Sequence, residues 1–145
     1  MRVLGLDFGM KYIGVAIGQS VTKTAKPLTT LLAQDGVPKW QEIQTLIDEW
    51  QPERLILGIP LNMDGTEQPL TFAARSFAKK LKQHFECPIE LVDERLSTWE
   101  AKERLKERKL EGLTRNKKSK KREIEMLNAT AASVLVEQWF SEQAF

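Results

Sequence analysis

Thiol and imidazole chemistry is almost absent from this chain. Cys87 is its only cysteine and His84 its only histidine in 145 residues. One cysteine excludes an intramolecular disulfide and a cysteine metal cluster. One histidine counts against a zinc site and against a Ser-His-Asp triad. No apolar run approaches the roughly 20 residues that a membrane-spanning helix needs. No signal-peptide pattern precedes the first apolar stretch, so a cytoplasmic protein with no membrane partner is expected. Hydrophobic residues make up 41% of the chain and charged residues 29%, enough for one core under a polar surface. The length suits a single domain over residues 1–145.

A large net charge is missing too: the formal value is +2. The charge is unevenly placed, however. Residues 102–122 hold eleven Lys/Arg against three Glu, a local +8 that leaves −6 on the remainder. A basic arm on a mildly acidic body points to a polyanionic partner, with nucleic acid foremost. The same run also reads as a solvated loop, and a flexible basic stretch is expected at about 111–122.

Strand-type sequence opens the chain. Residues 3–6 are apolar or Gly, Asp7 ends the run, and Gly9 allows a tight turn. Ile13, Val15 and Ile17 then alternate with Gly14, Ala16 and Gly18, giving a second strand. Residues 25–33 read as a third strand, placed at an edge by Pro27. A turn at 34–36 leads to a helix starting at Pro38, with Trp40, Ile43, Ile47 and Trp50 on one stripe and Pro52 as its stop. Those tryptophans read as core. Residues 54–60 form a nearly continuous apolar run, the pattern of a parallel strand covered on both faces. A polar loop follows, then a helix with Leu70, Ala73, Ala74, Phe77, Leu81 and Phe85 at helical spacing. Residues 89–95 make the fifth strand. Ser97 or Thr98 caps a charged helix over 99–110. A last helix over about 123–140 places Ile124, Leu127, Asn128, Ala131, Leu135 and Gln138 on one face. Asn128 is an odd amide in that stripe.

This order predicts an α/β fold: a five-stranded mixed sheet, with strands 1–3 an antiparallel meander, later strands parallel, and helices on both faces. Ligands gather at the carboxyl ends of such strands. Asp7, Asn62, Asp64, Asp93, Glu94 and Arg95 all fall there. Neighbouring carboxylates repel unless a cation neutralises them. An oxygen-only set suits Mg²⁺ or Mn²⁺, which can support phosphoryl displacement without a histidine base. Asp7 could instead merely cap its turn. Asp93 and Glu94 point to opposite faces of their strand, so at most one joins Asp7. Glu94 is the expected ligand, and Asp93 the alternative. Arg95 suits a phosphate or developing charge. Lys11 is a second phosphate candidate or a solvated cation.

Three stretches then carry a family resemblance. They are Leu6-Asp7-Phe8-Gly9-x-Lys11-x-Ile13-Gly14-Val15-Ala16, Gly58-Ile59-Pro60-Leu61-Asn62-Met63-Asp64-Gly65-Thr66-Glu67-Gln68, and Asp93-Glu94-Arg95-Leu96-Ser97-Thr98. In this order and spacing they resemble the YqgF family, also called RuvX. The resemblance implies an RNase H-like fold and a bacterial cytoplasmic nuclease that matures the 5′ end of pre-16S ribosomal RNA. It also brings an older assignment, Holliday junction resolution on branched DNA. Asp7 and Glu94 match the family's metal-binding acids. The family pattern has a third acid on the last helix, ahead of a small-residue run; here Asn128 stands there, with a carbonyl oxygen and no charge. The implied catalytic and metal set is thus Asp7, Glu94 and Asn128, with Glu125 one turn earlier as an alternative acid. Candidate nucleic-acid contacts are Lys11, Asn62, Arg95, Ser97 and Thr98 around the strand ends, and Arg115, Lys117, Lys118, Lys120 and Lys121 on the basic stretch. The implied partners are pre-rRNA or branched DNA and ribosomal precursor particles, with the protein a monomer or homodimer. A non-catalytic RNA-binding module on the same fold is the competing expectation, motivated by Asn128. An actin-type ATPase also carries an Asp-x-Gly loop, but that cleft needs two such domains.

Overall fold

The computed structural model describes residues 1–62, 64–94 and 117–143, with backbone alone at 94 and 117–120. The strands are β1 (Arg2–Asp7), β2 (Tyr12–Gln19), β3 (Thr24–Gln34), β4 (Val37–Pro38), β5 (Arg54–Pro60) and β6 (Ile89–Glu94). The described helices are α1 (Trp40–Trp50), α2 (Pro69–His84) and α3 (Lys117–Glu142). One sheet runs in the order β4-β3-β2-β1-β5-β6. β1 to β4 pair antiparallel in sequence, and β5 and β6 add in parallel beside β1.

The sheet has six strands, one more than expected. The added strand, β4, comes from turn chemistry at Asp35-Gly36. Both residues have positive φ, 51° and 80°. That is the geometry of a two-residue hairpin loop, which matches strand twist. It pairs Gln34 with Val37 and Ala33 with Pro38. Pro38 thus sits in an edge strand, where its missing N–H costs no ladder bond, and α1 starts two residues later than expected. Pro27 lies beside a register shift between β2 and β3, another place where a strand tolerates proline. α1 ends at Gln51, whose backbone is left-handed and whose N–H donates to the Ile47 carbonyl.

The two faces of the sheet differ in kind. One carries Leu4, Leu6, Ile13, Val15, Ile17, Leu55 and Leu57, packed with Ile43 of α1 and with Ala74, Phe77 and Leu81 of α2. The stripes read for α1 and α2 build this core, and Trp40 stacks on Phe77 and His84. The other face carries Val3, Ile56 and Val92 against Leu135, Val136, Trp139 and Phe140 of α3. Between them lie Gly5, Gly14 and Gly18. A Cβ on Gly14 would be 1.9 Å from the Asn128 carbonyl oxygen, and one on Gly5 2.2 Å from Val136 Cγ2. α3 therefore rests on bare backbone.

α3 begins at Lys117, before the expected start near 123, so the second half of the stretch expected to be flexible is helical. Residues 111–116 and the helix expected over 99–110 lie outside the described residues. The buried face of α3 is also wider than its expected stripe. Ala129, Ala132, Val136 and Trp139 are buried, whereas Ile124 is 38% exposed. Small residues on both partners bring the helix down on a face that periodicity alone did not select. Replacing Gly14 with Ala sets a Cβ against helix backbone, which no rotamer change relieves. Gly14→Ala is expected to cost at least about 2 kcal/mol, read as a lower urea midpoint.

Candidate active site

Asp7 ends β1 and is 3% exposed. It pairs with Gly14 across β1 and β2, so the two positions share a face. Gly14 in turn faces the Asn128 backbone. Gly14 is therefore a neighbour of both Asp7 and the Asn128 backbone. The side-chain Nδ2 of Asn128 donates to the Ile124 carbonyl at 2.9 Å. Its Oδ1 is then the atom with acceptor capacity for a cation.

Register carries the site across the sheet. Gly5 pairs with Ile56, and Ile56, Gly58 and Pro60 pair with Glu90, Val92 and Glu94. Alternation puts position 94 in the row of Val92, which is buried on the α3 face. That is the Asp7 face. Asp93 pairs with Ile59 and belongs to the opposite row. Two strand spacings, about 10 Å, separate the β1 and β6 backbones. Gly58, with no side chain, stands on the strand between them.

Other expected site residues are placed differently. Lys11 is exposed in the turn after Asp7, with Nζ 5.6 Å from the centre of the Tyr12 ring. Asn62 is exposed at the same sheet end and ties its loop: Nδ2 donates to Thr66 Oγ1 at 3.0 Å, and Asp64 Oδ1 accepts from the Thr66 N–H at 2.9 Å. Glu125 lies over β3, because its carbonyl accepts from the Thr30 hydroxyl; β2 stands between β3 and Asp7. Lys121 is exposed on α3. Lys117, Lys118 and Lys120 share that helix. Arg95, Ser97, Thr98 and Arg115 lie outside the described residues. No group of three or more His, Cys, Asp or Glu able to hold a metal occurs among the described residues. Asp7 and the Asn128 backbone both neighbour Gly14, and position 94 lies in a row of the same sheet face.

Sequence reasoning missed two supports of this site. One is the backbone contact of Gly14, signalled by the Gly14, Ala16, Gly18 period that reads simply as strand alternation. The other is Thr71, fully buried. Its hydroxyl donates to the Pro60 carbonyl and accepts from the Gln68 N–H. It fastens the end of β5 to the start of α2, and nothing in its spacing distinguishes it. Cys87 takes no part. It lies at the opposite end of the sheet, 3.6 Å from the Pro52 carbonyl, and burial pushes its thiol up.

The sheet order and the long helix across its glycine face define an RNase H-like α/β protein. T. thermophilus RuvC, solved in complex with a Holliday junction substrate, shares this fold at TM-score 0.51 and 12% identity, over 97% of this chain and 94% of that one. Residues 1–142 match the family model RuvX: Holliday junction resolvase, and the chain belongs to that family. A Coxiella burnetii protein (strain RSA 493) named "Putative pre-16S rRNA nuclease" is 51% identical over 140 residues, 97% of this chain and 92% of that protein. A protein of the same name from Pectobacterium carotovorum is 49% identical over 141 residues, 97% and 96% of the two chains.

Thr71→Val keeps shape and removes both hydrogen bonds. It is expected to cost about 1–3 kcal/mol, because the Pro60 carbonyl and Gln68 N–H lose their partner. Urea unfolding against wild type measures it.

Proposed function

We propose that this protein is a divalent-metal-dependent endonuclease that cleaves structured RNA, with the 5′ end of pre-16S rRNA as its substrate in the cytoplasm. The observation that carries the reading is the buried Asp7, whose cross-strand partner Gly14 packs on the Asn128 backbone, on the sheet face to which register also assigns position 94. Relatives about half identical along nearly the whole chain, and named for pre-16S rRNA, support the substrate.

The donors fit a hard cation: two carboxylates and an amide carbonyl offer oxygen only. Asp7, Glu94 and Asn128 would hold Mg²⁺ or Mn²⁺. Such an ion supplies an activated water and neutralises charge at the phosphate. Asp7 keeps its carboxylate at a fixed point, since strand backbone and α3 hold its surroundings. Asn128 contributes an oxygen without a charge, so the set attracts the ion less than three carboxylates would. Lys11 and Asn62, exposed at the rim, contact the phosphates that flank the cut. Arg95, following Glu94, takes the developing negative charge. Ser97, Thr98 and Arg115 extend the contact, and Lys117, Lys118, Lys120 and Lys121 on α3 continue it along the strand or toward a ribosomal precursor particle.

Cleavage of a precursor 5′ leader is expected to need Mg²⁺ or Mn²⁺ and to stop with a chelator. Asp7→Asn should lower the rate at least about 100-fold, the scale of losing a fixed charge at a reacting centre. Wild-type rates in Asp7→Asn would refute the mechanism. Asn128→Asp restores the third charge and is expected to lower the Mg²⁺ concentration at half-maximal rate. Asn128 itself favours a second reading, an RNA-binding module with little cleavage. That reading predicts affinity that survives Asp7→Asn and falls steeply with salt, with no cleavage at any metal concentration.

A further inference from the structure

We infer that Tyr12 is a base-stacking residue, and that the substrate nucleotide next to the cut is unpaired. The inference rests on the nuclease reading above. Tyr12 is the only tyrosine in the chain. It starts β2, two residues before Gly14, so it lies on the Asp7 and α3 face. Gly14 is the cross-strand partner of Asp7. Tyr12 is then the diagonal neighbour of Asp7, about 7–8 Å away.

Three features make this corner a receptor for a base. Tyr12 is partly exposed. Its strand partner Leu32 is 54% exposed, so the pair forms an apolar shelf across β2 and β3. The Lys11 ammonium lies over the ring, 5.6 Å from its centre; an incoming base displaces it from that face, and the released cation meets the phosphate of the same nucleotide. An aromatic face accepts every base, whereas a paired base has its faces covered by its neighbours in the helix. The shelf therefore selects a single-stranded flank, with a duplex gripped elsewhere.

The test uses the full chain and two RNAs, one with unpaired nucleotides beside the cut and one fully paired, each with 2-aminopurine next to the cut. Binding is measured with chelator present, so that cleavage does not intervene. In wild type and Tyr12→Phe the probe in the unpaired flank should be quenched on binding. Tyr12→Ser should lose the quench and bind that RNA about 5- to 150-fold more weakly, with affinity for the paired RNA unchanged. Thermal unfolding of the variants controls for loss of fold. Leu32→Ser, which trims the shelf and spares the ring, should weaken the same RNA to a lesser degree. Tyr12→Ser that binds both RNAs as wild type does, or loses both equally, overturns the inference and leaves the nuclease reading intact. Wild type that neither binds nor cleaves either RNA overturns the nuclease reading and this inference with it.

Discussion

The contact on which the molecule depends is backbone against backbone. α3 comes down on Gly14 so closely that the Asn128 carbonyl occupies the space of a missing Cβ. At Gly5 and Gly18 the missing Cβ makes room instead for side chains of α3, Val136 at the first and Val136 with Phe140 at the second. Two elements at this separation exclude water from the end of β1. A carboxylate in such a place is costly unless it is paired, hydrogen-bonded or metal-bound. Asp7 lies there, 3% exposed, at the end of β1. The strength of hydrophobic packing elsewhere on α3, through Leu135, Trp139 and Phe140, presses the helix into this approach.

The sheet divides its labour by face. The α1 and α2 side is filled with large hydrocarbon and aromatic groups, and it supplies most of the burial that holds the fold. The α3 side trades side-chain volume for proximity, which gives up some burial and lets the helix approach the strands at Gly5, Gly14 and Gly18. Ends divide in the same manner. The carboxyl ends of β1 and β5 carry Asp7, Lys11 and the Asn62–Thr66 loop, whereas Cys87 and the Arg54–Glu90 ion pair lie toward the other end. That pair is partly exposed on both sides and contributes little to stability.

Much of this architecture was legible beforehand. Alternation in β1 and β2, the apolar run of β5 and the stripes of α1 and α2 each have a local cause in the spacing of side chains. β4 escaped the reading although Asp35-Gly36 is the turn signal for it, because a two-residue strand offers no periodicity and Pro38 imitates a helix start. The early start of α3 escaped for a different reason. A run of lysines has high helix propensity along its length but repels itself, and the long helix to which it is joined decides the outcome. Thr71 carried no signal at all, since a buried hydroxyl bond depends on where β5 ends relative to α2.

Residue chemistry and residue placement were read at different levels. From residue types alone came the expectation of an oxygen-only donor set, the scarcity of thiol and imidazole groups, the basic segment and the placing of acids at strand ends. These follow from what each side chain is and from the period-two geometry of a strand. Which acid shares a face with Asp7 needed the pairing of β5 with β6, for a slip of one residue exchanges Asp93 and Glu94. That the Asn128 backbone packs on Gly14, the cross-strand partner of Asp7, and that Glu125 lies beyond β2, depended on the path of α3 over the sheet. That path is set by packing among residues far apart in sequence, so only the folded chain determines it.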